Sequence, residues 1–332
     1  DEPVNAVVSL FGTAATTVSL VRSMALRSID APLWLVTRGA VLGATDPEQA
    51  QIWGLGRIVG LEYPDRWGGL LDVPAELSED QWASVLSALA GIDQEDQLAV
   101  RDSGLLARRL VRAPLGGQEP DAPWRPRGTV LVTGGTGALG GRVARWLAAN
   151  GAEHLVLTSR RGHAAEGVAE LERELAALGA RVTITACDVA DRDALAAVID
   201  GLDLTAVVHA AGVVPDAVPL ADMTPDAFAA TLAAKVAGTR NLHDLVPGDL
   251  DAFVLFSSVA GVWGSGGQSA YAAANAYLNA FAEWRRAQGL TATSVAWGAW
   301  SGGGLAAGDE AERGLRLRGI CGMAPDLAIH AL

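Results

Sequence analysis

Half of the 332 residues are hydrophobic and the net charge is −13. That leaves volume for a large core and argues against nucleic acid or an anionic membrane surface as a partner. No apolar run approaches the roughly 18 residues of a membrane span, and the acidic start has no signal-peptide pattern. Cys187 and Cys321 stand far apart without CxxC spacing, so no disulfide framework or zinc site is indicated. A cytoplasmic protein of about two domains is expected. Asp1 runs straight into the strand-like Asn5–Phe11, and the segment from Pro325 stops after two helical turns, so a piece of a longer polypeptide is also expected.

Along the first portion, Leu33–Thr37 reads as a strand, Gln51–Leu61 as the following helix and Gly69–Val73 as the next strand. This portion is a faded copy of the later half of the chain: Leu33-Trp34-Leu35-Val36-Thr37 resembles Phe253-Val254-Leu255-Phe256-Ser257. The copy has no glycine-rich loop, no helix tyrosine and no lysine, so a structural role is expected for residues 1–114. Three prolines and paired glycines then mark a linker over 115–127.

From residue 128 short apolar runs alternate with amphipathic segments of helix length. The predicted strands are Thr129–Thr133, His154–Thr158, Arg181–Ala186, Ala206–His209, Phe253–Phe256 and Thr293–Ala296. One intervening helix opens on Thr224-Pro225-Asp226, a capping hydroxyl followed by proline in the first turn. The alternation predicts an α/β fold with a Rossmann-type, doubly wound parallel sheet over 128–332, preceded by the degenerate Rossmann-like subdomain.

The first of these strands runs into Gly134-Gly135-Thr136-Gly137-Ala138-Leu139-Gly140, with a helix after it. Glycines there let the backbone turn tightly and approach a pyrophosphate whose charge rests on the helix N-terminus. A methyltransferase loop is the alternative reading. An NAD-selective site places an acid about 20 residues further on. Here that region reads Ser159-Arg160-Arg161, whose guanidiniums suit a 2′-phosphate, so NADPH is predicted. Asp188 is placed to accept from the adenine amino group.

Among 25 basic residues Lys235 is the sole lysine, and Tyr271 follows it by 36 positions. Either a biased composition has let one lysine through, or a compact ammonium is needed to pull down a phenol pKa. Ser258 ends the fifth predicted strand, 13 residues before Tyr271, and Asn275 lies one helical turn after it. A serine hydroxyl can hold a carbonyl oxygen while tyrosine supplies the proton. At its free pKa of about 10 the tyrosine needs a cation nearby.

These motifs make the chain resemble the short-chain dehydrogenase/reductase superfamily and, within it, the ketoreductase domains of modular polyketide synthases. The likeness rests on Phe256–Gly264, Tyr271–Ala276, His209-Ala210-Ala211-Gly212 and Ser294–Gly298, with asparagine four residues after the tyrosine and the lysine upstream. It extends over the first portion, which resembles their structural subdomain. The resemblance implies Tyr271, Ser258, Lys235 and Asn275 as the catalytic set. It implies cofactor contacts from the glycine loop, Leu139 included, and from Ser159, Arg160, Arg161, Asp188, Val189, Ala210, Ala211, Gly212, Lys235 and Tyr271. Its substrate is a β-ketoacyl thioester on the phosphopantetheine of an acyl carrier protein, beside neighbouring synthase domains.

In this family a tryptophan eight residues before the tyrosine accompanies L-configured alcohols, and a Leu-Asp-Asp motif accompanies D-configured ones. Trp263 occupies the first position. The second site reads Val214-Pro215-Asp216, and Gln268 stands where a class that prefers epimerised substrates has histidine. An A1-like domain giving an L-β-hydroxyacyl product is therefore expected. A reductively silent, cofactor-binding or epimerising domain and a free-standing reductase of small ketones are the alternatives. Two departures from the family are the short Phe11–Thr13 connection and the absence of a terminal strand. His209, ending an apolar strand, is expected to be packed rather than catalytic. Arg313, Arg316 and Arg318 read either as a solvated face or as a partner site, and the resemblance implies that this segment, after Ser301–Gly304, is a mobile lid over the substrate.

Overall fold

The computed structural model describes residues 4–43, 45–92, 94–114, 124–302, 308–317 and 319–332. The chain opens with strand β1 (Val7–Leu10), helix α1 (Ala14–Leu26), β2 (Leu33–Arg38), α2 (Pro47–Glu62), β3 (Trp67–Val73), α3 (Glu79–Leu89), β4 (Gln97–Arg101) and β5 (Gly104–Ala107). Next come β6 (Thr129–Thr133), α4 (Ala138–Ala149), β7 (His154–Ser159), α5 (Val168–Ala177), β8 (Arg181–Ala186), α6 (Arg192–Ile199), β9 (Leu204–His209) and α7 (Pro225–Leu245). The last elements are β10 (Ala252–Ser258), α8 (Ala260–Trp263), α9 (Ser269–Ala287), β11 (Thr293–Trp297), α10 (Asp309–Leu317) and α11 (Pro325–His330). No helix among the described residues is long and apolar enough to cross a membrane.

Two compact units result. One holds the described residues up to 114 together with Pro215–Leu232 and Ala260–Ala287. The other holds Trp124–Val214, Ala233–Val259 and the described residues from Gln288 onward. Most of the predicted linker, residues 115–123, lies outside the described residues, as do residues 303–307 and Arg318 of the lid segment.

In the first unit the sheet order is β1-β2-β3-β4-β5, parallel except for the closing β4–β5 hairpin. The order never reverses, so the crevice that a doubly wound sheet opens at its switch point does not form. Helix starts are set by local chemistry: Asp46 accepts from Glu48 N at 2.9 Å ahead of Pro47, and Ser78 and Gln81 make a capping box for α3. On β3 Asp72, fully buried, accepts from Thr37 Oγ1 at 2.6 Å and Ala40 N at 2.9 Å and pairs with Arg101 at 2.6 Å. Helix α2 packs along α9, and the small residues explain how closely: a Cβ on Gly54 would overlap the carbonyl of Ala272.

In the second unit the order is β11-β10-β9-β6-β7-β8, with every pairing parallel. Counted within the unit this is 3-2-1-4-5-6, with the switch point between β6 and β9. Val130, Leu131 and Val132 in β6 and Val207 and Val208 in β9 are shut from solvent, as sheets covered on both faces require. The hydrophobic core of this unit runs from Val143, Ala144 and Leu147 of α4 through Leu155 and Leu157 to Phe256 and Trp297.

Candidate active site

The glycine loop lies where β6 gives way to α4. Gly134 has φ +70°, and a Cβ there would stand 2.8 Å from Ala211 backbone atoms, so both the conformation and the space demand glycine. A Cβ on Gly140 would overlap the Gly134 carbonyl. Gly135 N donates to Thr158 O at 3.1 Å, which ties the loop to the end of β7. Gly137 caps α4 with no side-chain bond, so the first-turn N–H groups are left for an anion. Ala210, Ala211 and Gly212 follow directly from β9 on the other side of the switch point. The cradle and the uncapped helix fit a dinucleotide pyrophosphate, with Leu139 half-buried in the first turn.

After β7, the Ser159 hydroxyl accepts from Thr136 Oγ1 at 2.7 Å and from Gly162 N at 3.1 Å, shaping the turn that carries Arg160 and Arg161. Both arginines are exposed and make no ion pair among the described residues. Asp188 lies just past β8, exposed, with Oδ1 accepting from Ala190 N at 3.0 Å. Val189 beside it is buried and would meet a Cβ on Gly238 at 2.7 Å.

Lys235 sits on α7 with its chain buried against Gly212, where an added Cβ would come within 2.8 Å of Lys235 Cε. Its ammonium donates to the carbonyl of Phe256 at 2.6 Å, two residues before Ser258 at the end of β10. Burial pulls the Lys235 pKa down to about 8. His209 is buried and paired with Thr133 Oγ1 at 2.6 Å; burial first, and the Lys235 charge second, push its pKa down to about 3. It is a neutral packed residue, as its place at the end of an apolar strand predicts.

Tyr271 and Asn275 belong to the other unit, on α9. Both are buried, and Asn275 Nδ2 donates to the Tyr271 carbonyl at 2.7 Å. Gly261, on α8, would place a Cβ 2.7 Å from Ala276 N, so α8 and α9 approach closely just C-terminal to the tyrosine. Trp263 ends α8 and is 49% exposed. Gln268, half-buried, precedes α9 and its carbonyl accepts from Ala272 N at 2.8 Å. Asp216 is exposed. The structure thus brings Lys235 to Gly212 and to the strand ending in Ser258, and Asn275 to Tyr271. The Phe256 carbonyl was not foreseeable from sequence, because a backbone acceptor carries no side-chain signal.

Strand order, glycine cradle and uncapped helix are those of the dinucleotide-binding class of α/β folds. Residues 128–302 match the family described as KR domain, and residues 3–110 match the polyketide synthase extender module SpnB, Rossmann fold domain. The chain is 52% identical over 336 residues to the pikromycin polyketide synthase component PikAIII of Streptomyces venezuelae, covering 98% of this chain and 21% of that protein. It is 53% identical over 335 residues to the erythronolide synthase EryA3 of Saccharopolyspora erythraea, covering 98% and 10%. A solved A1-type ketoreductase superposes with TM-score 0.93 at 50% identity, covering 98% of this chain and 74% of that one. A C2-type ketoreductase from a modular polyketide synthase gives 0.87 at 43%, covering 96% and 70%.

The chain belongs to the KR-domain family of modular polyketide synthases. Domains of this family are nicotinamide-dependent oxidoreductases that reduce the β-keto group of carrier-bound intermediates. The chain spans 4% to 21% of the length of three curated relatives it matches.

Proposed function

We propose that this chain uses NADPH to reduce the β-keto group of an acyl-carrier-protein-bound thioester to the L-β-hydroxyacyl product, within a larger synthase whose neighbouring domains supply and consume the intermediate. The division into a structural subdomain over 1–114, a linker over 115–127 and a catalytic subdomain over 128–332 is part of the same reading. The observation that carries it is the buried Lys235 ammonium, held 2.6 Å from the Phe256 carbonyl on the strand that ends at Ser258. A buried cation costs stability unless it is paired or hydrogen-bonded, and here the bond that holds it stands on the strand whose end bears the serine.

When bound, the nicotinamide supplies the hydride. The Ser258 hydroxyl donates to the substrate carbonyl oxygen and holds it. Tyr271 gives its phenolic proton to that oxygen as charge develops there, and Lys235 stabilises the resulting phenolate and binds the nicotinamide ribose. Asn275 places a water or the carbonyl. Arg160 and Arg161 hold the 2′-phosphate, Asp188 with Val189 receives the adenine, and Ala210, Ala211 and Gly212 wall the cofactor. Trp263, exposed at the end of α8, supports the L assignment by favouring one direction of thioester approach, with Gln268 and Asp216 lining the same substrate.

The test is direct. Purified protein, NADPH and a diketide β-ketoacyl thioester are incubated while NADPH absorbance is followed, and the alcohol is resolved by chiral chromatography. NADPH consumption with an L-configured alcohol is the expected result. No consumption would leave a silent domain, and a D-configured alcohol would remove the stereochemical part.

A further inference from the structure

The two segments that carry the stereocontrol residues are both held by side chains from the non-catalytic portion. Arg57 of α2 donates through Nη1 to the Gly261 carbonyl at 2.6 Å, and Arg108 donates through Nη2 to the Val262 carbonyl at 2.8 Å. The two guanidiniums share one acceptor, Gln97 Oε1, at 3.0 Å and 3.2 Å. These are carbonyls of the last turn of α8, which has no following turn to satisfy them; that of Ala260 is taken by Gly264 N at 3.1 Å. Trp263 is the next residue.

Five residues further along, the carboxylate of Glu62, the last residue of α2, takes over. Its Oε1 accepts from Gly267 N at 2.9 Å, beside Gln268, and its Oε2 accepts from Leu220 N at 2.7 Å, four residues after Asp216. The two segments also bond to each other, Val218 N to Gly267 O at 2.8 Å. One carboxylate therefore spans both segments, and the stretch 261–267 is fastened at both ends.

Trp263 lies between those fastenings with half its surface exposed, so packing covers only part of it. Arg57, Arg108 and Glu62 bond the backbone on either side of it, at Gly261, Val262 and Gly267. Bonds to charged groups are the stronger kind, and a displacement of about 1 Å in a positioning element is enough to change rates about a hundredfold.

We infer that Glu62, with Arg57 and Arg108, positions the two segments bearing Trp263, Gln268 and Asp216, and thereby sets which hand of alcohol the domain makes. These are positioning residues. The inference rests on the reading that Trp263 biases thioester approach.

The experiment compares E62Q, R57K and W263A, each in the full chain, by chiral chromatography of the alcohol made from a diketide β-ketoacyl thioester. In E62Q the amide keeps one acceptor oxygen and turns its NH2 toward a backbone donor. In R57K the ammonium cannot reach Gln97 and Gly261 together. Each single variant is expected to lower the L-to-D ratio about tenfold, with NADPH affinity by fluorescence within about twofold of the parent, the range of uncoupled sites. In a W263A background E62Q should change the ratio by less than it does in the parent, because part of its effect passes through that indole. A shifted ratio in W263A with unchanged ratios in E62Q and R57K overturns the inference and leaves the reading of Trp263 standing. Full additivity of E62Q and W263A overturns it as well. An unchanged ratio in W263A overturns the reading itself.

Discussion

The ammonium of Lys235 donates to the Phe256 carbonyl at 2.6 Å, on the strand whose last residue is Ser258. The only lysine of the chain is thus a buried cation, fastened to the strand that presents the serine, with Gly212 making room for its stem.

Burial brings this ammonium to about pKa 8. It is charged below that pH and loses its charge above it, so on the proposed mechanism its support for a phenolate on Tyr271 fades as pH rises. Reductase kcat/KM is expected to hold below pH 8 and fall above it. K235M should lose this alkaline limb together with most of the activity. A limb unchanged in K235M would assign it to another group.

Tyr271→Phe removes the proposed proton donor and leaves the ring in its buried place on α9. Positioned acid catalysis is worth about 10²–10⁴-fold, so kcat should fall by that order while NADPH still quenches protein fluorescence. Near-normal turnover would take Tyr271 out of the mechanism.

The exposed pair Arg160 and Arg161 has no acidic partner among the described residues to neutralise it. Replacing both by glutamine should raise KM for NADPH about tenfold or more, because hydrogen bonds to charged groups are the stronger kind. KM for NADH should stay nearly constant. Equal weakening of both cofactors would point to misfolding.

Gly54 tests how α2 supports the tyrosine helix. A Cβ there would overlap the Ala272 carbonyl, one residue from Tyr271. Gly54→Val must push α2 and α9 apart, at about 1–3 kcal/mol or more for overpacking. A lowered melting temperature and a reduced kcat, with NADPH affinity retained, are the expected outcome. An unchanged melting temperature would show that the two helices tolerate a wider spacing.

Composition and order along the chain determined a good deal on their own. Apolar runs located β6 to β11 to within two residues, because the central strands of a parallel sheet covered on both faces are continuously hydrophobic, while the edge strand β8 keeps an alternating pattern. The glycine spacing located the tight turn between β6 and α4, since Gly134 and Gly140 stand where no Cβ fits. The hairpin of β4 and β5 escaped, being two short strands with a turn of weak signal at Asp102-Ser103.

Tertiary structure alone decided the rest. The order β1-β2-β3-β4-β5 in the first unit, with no switch point, comes from how crossovers wind and not from any residue type. The depressed pKa of Lys235 depends on what buries it. Glu62 reaches Gly267 across 205 positions and Arg57 reaches Gly261 across 204. Such bonds join side chains to backbone groups of distant segments, and a backbone N–H or carbonyl is the same at every non-proline position. A sequence shows which residues carry charge, and only the fold shows which unpaired backbone groups that charge will meet.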